Sequence, residues 1–167
     1  EVLDENVYSG ILEVIPRKIT IQADSASKIY DDTALTAQGF EIVSENKLVL
    51  DHSVSEISID GSQLDAGVSD NVPHDAKIVN GMGTDVSTNY EITYLNGTLE
   101  VFKRKIKVTT GSAEHLYDDN YFYYNNGGLV SNFGDGVLSS QTATVVVIGS
   151  AIDAGTYENS CAVVVER

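Results

Sequence analysis

RKITIQADSASKIYDD, residues 17–32, and RKIKVTTGSAEHLYDD, residues 104–119, align without a gap and share Arg, Lys, Ile, Ser, Ala, Tyr, Asp and Asp. Their offset is 104 − 17 = 87. Further on, GSQLDAG (residues 61–67) matches GSAIDAG (residues 149–155) at an offset of 149 − 61 = 88, and Asn71 then pairs with Asn159. A single inserted residue separates the two blocks, so the chain is a tandem repeat, and each copy must be read as a structural unit before any side chain is read as a site.

The end of the first copy, YLNGTLEVFKRKI (residues 94–106), has a fainter relative at the start of the chain, VYSGILEVIPRKI (residues 7–19). Residues 1–16 therefore read as the terminal strands of a preceding repeat, 17–103 as a complete module and 104–167 as a second module that, in this frame, lacks its last strands. A shifted frame, about 1–88 and 89–167, gives two balanced modules, and the sequence leaves both frames open.

KITIQA, EISIDG, YEITYL, TLEVF, KIKVTT and TATVVVIG alternate or run with β-branched and aromatic residues, the pattern of half-buried strands. Asn96-Gly97 lies between YEITYL and TLEVF, where it predicts a two-residue hairpin. Asn80-Gly81 and Asn126-Gly127 predict further turns. The expected fold is all-β: two tandem Ig-like antiparallel β-sandwich modules arranged end to end. A β-grasp-like module with a short helix near NKLVLDHSVSE is the alternative. TLEVFKRKIKVTT joins the copies without Gly, Pro or a polar spacer, which predicts a nearly continuous, stiff strand across the boundary.

Composition narrows the partners. With 10 Lys+Arg and 25 Asp+Glu, the formal charge is 10 − 25 = −15, so nucleic acid and anionic membranes are repelled. An apolar fraction of 42% is too high for a disordered acidic tail. One cysteine, Cys161, precludes an intrachain disulfide, and its place in the alternating NSCAVVV suits a small buried hydrophobe better than a nucleophile. No run is long enough for a membrane-spanning helix, and the opening residues lack signal-peptide features, so an export signal would lie outside this chain.

SASKIYDDTALTAQGF, SVSEISIDGSQLDAGVSDN and TDVSTNYEITYLNGTLEVFKRKI resemble the tandem MBG/YDG-type repeats of bacterial surface proteins and adhesins, particularly those of Gram-positive gut bacteria. The resemblance covers nearly the whole chain. It departs from the family where glycine usually follows Tyr-Asp, here Asp32 and Asp119, and where glycine precedes the histidine matching His52, here Asp51. The resemblance implies a secreted, cell-wall-attached protein in which such modules form a stalk or part of an adhesin. It carries over no catalytic residues, and the mucin-binding label of some relatives implies glycan or mucin contact without fixing positions.

The residues themselves offer few chemical constellations. Asp31/Asp32 and Asp118/Asp119 are candidate Ca²⁺ ligands, but neither pair continues as a DxDxDG loop, and a solvated turn is the plainer reading. His52, His74 and His115 lack zinc spacing, and no GxSxG elbow exposes a serine. GMGTD (residues 81–85) and FGDG (residues 133–136) read as glycine turns rather than phosphate cradles. No metal, cofactor or enzymatic role is expected. A Lys–Asn isopeptide bond is testable and needs a buried lysine. YFYY (residues 121–124), followed by Asn125, is where the copies diverge, since the first has ALTA there. Alternation turns either Tyr121 and Tyr123 or Phe122 and Tyr124 outward. Tyr121, Tyr123 and Asn125 are the candidate ligand-binding residues, suited to stacking on sugar rings and bonding hydroxyls. The expected function is a non-enzymatic structural or adhesive repeat at the extracellular cell surface, its partners being glycans, mucin and neighbouring repeats; a carbohydrate-binding module is the alternative.

Overall fold

The computed structural model describes residues 10–125, 129–131 and 135–166, with backbone alone at 129–131. It is all-β, with strands in several sheets and a single 3-10 turn, Ser87–Asn89, among the described residues. The chain divides into two compact units. The first holds the residues through Lys28 and Ala34–Val101; the second holds Ile29–Thr33 and the chain from Phe102 on.

Unit 1 is organised by β1 (Arg17–Ala23), whose alternation buries Ile19, Ile21 and Ala23 on one side. It is the middle strand of a sheet with β3 (Phe40–Ile42) and β6 (Tyr90–Leu95). Ile21 faces Ile42 in the antiparallel pair, and Ile19 faces Ile92 in the parallel one. A second sheet has the order β2 (Ala26–Ile29), β7 (Gly97–Phe102), β5 (Gly67–Val79), β4 (Ser53–Asp60). The 13-residue β5 changes partner along its length: Gly67–Asn71 pairs with β7, and the stretch from Val72 to Val79 pairs with β4. Its far end delivers Ile78 into a core with Ile19, Ile21 and Tyr90. β4 meets it through two register shifts, at Val54/Glu56 and Glu56/Ser58, and such bulges bend the strand pair.

Unit 2 contains β8 (Lys107–Thr109) paired with β9 (Leu129–Ser131), and β10 (Thr142–Val147) paired with β11 (Cys161–Glu166), both antiparallel. The repeat offsets place β8 on β1, β10 on β4 and β11 on the second half of β5. The isolated bridge Phe122–Ala151 falls on its counterpart Leu35–Gln63, since 122 − 87 = 35 and 151 − 88 = 63.

Three local expectations are corrected. Asn96-Gly97 does not close a hairpin, because β6 and β7 belong to different sheets and the chain crosses between layers at this point. Glycine is needed there for close approach: a Cβ on Gly97 would lie 2.2 Å from the Asp24 carbonyl oxygen and 2.6 Å from that of Ala23. The strand expected across the copies is interrupted at residues 103–106, between β7 and β8. Residues 50–51 form only a turn, so no helix lies in NKLVLDHSVSE. The Asn80 turn does form: Gly83 N–H donates to the Asn80 carbonyl at 2.8 Å, and the Asn80 Oδ1 accepts from the amides of Met82 and Thr84. Asn126-Gly127, Phe133-Gly134 and residues 1–9 lie outside the described residues, and residues 10–16 make no strand pairing.

Candidate functional site

The repeated signature is built from two hydrogen-bonded devices, each present in both copies of the repeat. The first is an asparagine clamp. Asn71, fully buried, donates its Nδ2 to the carbonyls of Asp24 and Ala37, both at 2.9 Å. Asn159 donates to the carbonyls of Gly111 and Tyr124 at 2.9 and 3.1 Å, the same positions displaced by 87. Each asparagine packs against the glycine that opens the second repeat block. A Cβ on Gly61 would sit 2.3 Å from Asn71 Oδ1, and one on Gly149 would sit 2.5 Å from Asn159 Oδ1. The clamp ties the segment after the first strand to the segment that follows the Tyr-Asp turn.

The second device is that turn. The Tyr30 hydroxyl donates to Asp32 at 2.8 Å and the Tyr117 hydroxyl to Asp119 at 3.1 Å. The first aspartate of each pair caps the turn: Asp31 Oδ1 accepts from Thr33 N–H, and Asp118 Oδ1 from Asn120 N–H, both at 3.0 Å. Asp32 and Asp119 have φ of 65° and 62°, and Asp51 also has 65°. Aspartate tolerates this left-handed region better than most side chains. The Asp118 carboxyl is held below its ordinary range, first by the Asn120 amide and then by His115, whose Nε2 is 3.3 Å from it. The paired aspartates thus face their own turns. Among the described residues no group of three or more His, Cys, Asp or Glu is placed to hold a metal ion.

The tyrosine run grows out of the second turn. Phe122 exchanges two backbone hydrogen bonds with Ala151, at 2.7 and 3.1 Å, and His115 stacks on its ring at 4.9 Å with a 10° interplanar angle. That anchor fixes the alternation. Phe122 and Tyr124 are half-buried, while Tyr121, Tyr123 and Asn125 are exposed. Tyr121 and Tyr123 retain 63% and 59% of their exposure and stack on each other at 6.1 Å and 27°. In unit 1 the two tyrosine positions carry Ala34 and Thr36, also exposed but without a ring.

The histidines are dispersed. His52 Nδ1 lies 2.7 Å from the Tyr90 hydroxyl. His74 sits between Asp75 at 2.7 Å and Asp60 at 3.1 Å, which raise its pKa above the ordinary value, Asp75 more strongly. Sequence reading passed over this trio because Asp60 reaches His74 only through the β4–β5 pairing. Asp85 is held below its ordinary range by Ser87, foremost by its backbone N–H. Cys161 is half-buried, opposite Val147. None of the described lysines is buried, as an isopeptide bond requires.

The chain matches no family model, no curated protein and no solved structure.

Proposed function

We propose that the chain is a non-enzymatic structural region of a bacterial surface protein, two Ig-like modules in series serving as a stalk or spacer of an extracellular adhesin. The duplicated asparagine clamp carries this reading. What the two copies share is hydrogen-bonded scaffolding, whereas a duplicated catalytic centre would share converging reactive groups. The acidic surface and the resemblance to surface-protein repeats support the same placement. Single-molecule pulling of the chain between inert handles tests it: two separate unfolding events, one per unit, are expected. Featureless extension of both units at low force would refute a tension-bearing role.

A carbohydrate-binding role is the second reading, favoured by the stacked, exposed Tyr121–Tyr123 pair that only one copy carries. Aromatic faces bury apolar sugar faces, while Asn125 supplies amide donors and an acceptor. A glycan array with mucin-type and plant glycans, repeated with Tyr121→Ala and Tyr123→Ala, should show binding that both substitutions abolish. Absence of any glycan signal for the parent chain eliminates this reading.

A further inference from the structure

Asn80-Gly81 and Asn96-Gly97 are the same dipeptide in two different settings, both within unit 1. Asparagine is a chemically labile residue, and a following glycine supplies the reagent. With no Cβ to crowd it, the glycine amide nitrogen can close a five-membered ring on the asparagine Cγ. Closure needs a nitrogen free of other hydrogen bonds, a polarised side-chain carbonyl and room for the peptide to rotate. The two pairs differ in these respects.

At the first pair, Gly81 N–H donates to no group among the described residues. Asn80 Oδ1 accepts from Met82 N–H at 3.0 Å and from Thr84 N–H at 2.9 Å. Two amide donors on one carbonyl oxygen stabilise the oxyanion that forms when a nucleophile adds to the carbon. Residues 81–84 are exposed, and the nearest atoms to a Cβ on Gly81 are those of Asp51, at 3.3 and 3.7 Å, which leaves the turn room to rotate. At the second pair, Asn96 Nδ2 donates to the Asp70 carboxylate at 3.1 Å, and that negative charge opposes deprotonation of the adjacent amide. Gly97 is buried, in register with Asn71 of β5 and pressed against the carbonyls of Asp24 and Ala23. Its peptide cannot turn without opening the sheet.

We propose that Asn80 is a self-modification site that converts to aspartate and isoaspartate in the folded chain, with water as its only co-reactant, while the fold preserves Asn96. The Gly81 nitrogen gives its proton to solvent hydroxide and bonds to Asn80 Cγ. The Cγ–Nδ2 bond breaks, and the nitrogen leaves as ammonia after taking a proton from water. Water then opens the resulting succinimide. Opening at Cγ yields aspartate; opening at the main-chain carbonyl yields isoaspartate. Nothing is oxidised or reduced.

The two products differ in consequence. Aspartate keeps an acceptor for the Met82 and Thr84 amides and adds one negative charge, −15 − 1 = −16. Isoaspartate inserts a methylene into the main chain just after β5. That strains the Asn80 N–H bond to the Thr84 carbonyl, the Val79–Asp85 bridge and the bond from Val86 N–H to the carbonyl of fully buried Ile78. The inference goes beyond a stalk role and does not depend on it.

Timed incubation of the 167-residue chain in isotope-labelled water at mildly alkaline pH, followed by peptide mapping with fragmentation that separates the two acids, tests this. In the folded chain the Asn80 peptide should take up labelled oxygen at least about fivefold faster than the Asn96 peptide, the rate equivalent of one net hydrogen bond. In urea the two rates should converge, since both pairs are then open. Gly81→Ala should slow conversion at Asn80 and leave Asn96 unchanged. The isoaspartate fraction should melt below the parent, whereas Asn80→Asp should match it. Equal rates at the two sites in the folded chain, or an Asn80 that converts only in urea, would overturn the assignment without need of any variant. Conversion undiminished in Gly81→Ala would overturn the ring-closure route.

Discussion

Replacing Asn71 by alanine tests whether the repeat signature is a folding device. The side chain is fully buried and makes two hydrogen bonds of 2.9 Å, to Asp24 and Ala37. Each such bond contributes a net ~0.5–1.5 kcal/mol, and a carbonyl left buried without a donor costs ~1–3 kcal/mol. Water can enter the vacated space and partly satisfy the carbonyls, so the expected loss is about 2–4 kcal/mol. That is a large fraction of the ~5–15 kcal/mol typical of a domain. Asn71→Leu keeps the volume and removes the donors, which separates the hydrogen-bonding part from the cavity. In unit 2, Asn159 is only half-buried, so Asn159→Ala should cost less, about 1 kcal/mol. Urea unfolding followed by circular dichroism gives the transitions; amide exchange at Asp24, which donates to the Gly39 carbonyl, assigns the change to unit 1. An Asn71→Ala chain within about 0.5 kcal/mol of the parent, or an Asn71→Leu chain equally stable, would refute the clamp.

Other substitutions separate close packing from backbone strain. Gly97→Ala drives a Cβ into two backbone carbonyls and should destabilise unit 1 by about 3 kcal/mol, while Gly10→Ala, with open space around it, should leave thermal unfolding unchanged. Asp51→Gly relieves a left-handed side chain and should stabilise by about 0.5–1 kcal/mol; Asp51→Val should do the opposite, and equal melting temperatures for the pair would count against strain there. His74 should titrate by NMR above its ordinary 6.5, held up by Asp75 and Asp60. Because its folded pKa is raised, the stabilisation it contributes is fully present below about pH 6.5 and is lost as the pH rises through the folded value. Asp75→Asn should bring the midpoint down, and an unshifted midpoint would contradict the pairing.

The repeat, the strand-rich character and the positions of the shared scaffold were legible in the sequence, because strand periodicity and turn residues are local signals and a duplicated segment aligns with itself. GSQLDAG with Asn71 and GSAIDAG with Asn159 marked the clamp without revealing its function. A side chain that bonds carbonyls 34 and 47 residues away leaves no local trace. The exposure of Tyr121 and Tyr123 followed from alternation, though choosing between the two faces required the Phe122–Ala151 bridge to fix which residues turn inward. The hairpin at Asn96-Gly97 misled for a related reason. Its dipeptide satisfies a turn rule, but whether two successive strands pair is decided by which sheet has a vacant edge for each.

By itself, then, the sequence determined that this chain is two copies of one β-rich plan, acidic throughout and most divergent after its Tyr-Asp turns. Only the tertiary structure decided that β6 joins β1 in one sheet while β7 enters the other between β2 and β5, since such pairings depend on contacts distant in sequence. A strand pattern declares which face wants burial; the partner that buries it is set by what the rest of the fold brings alongside.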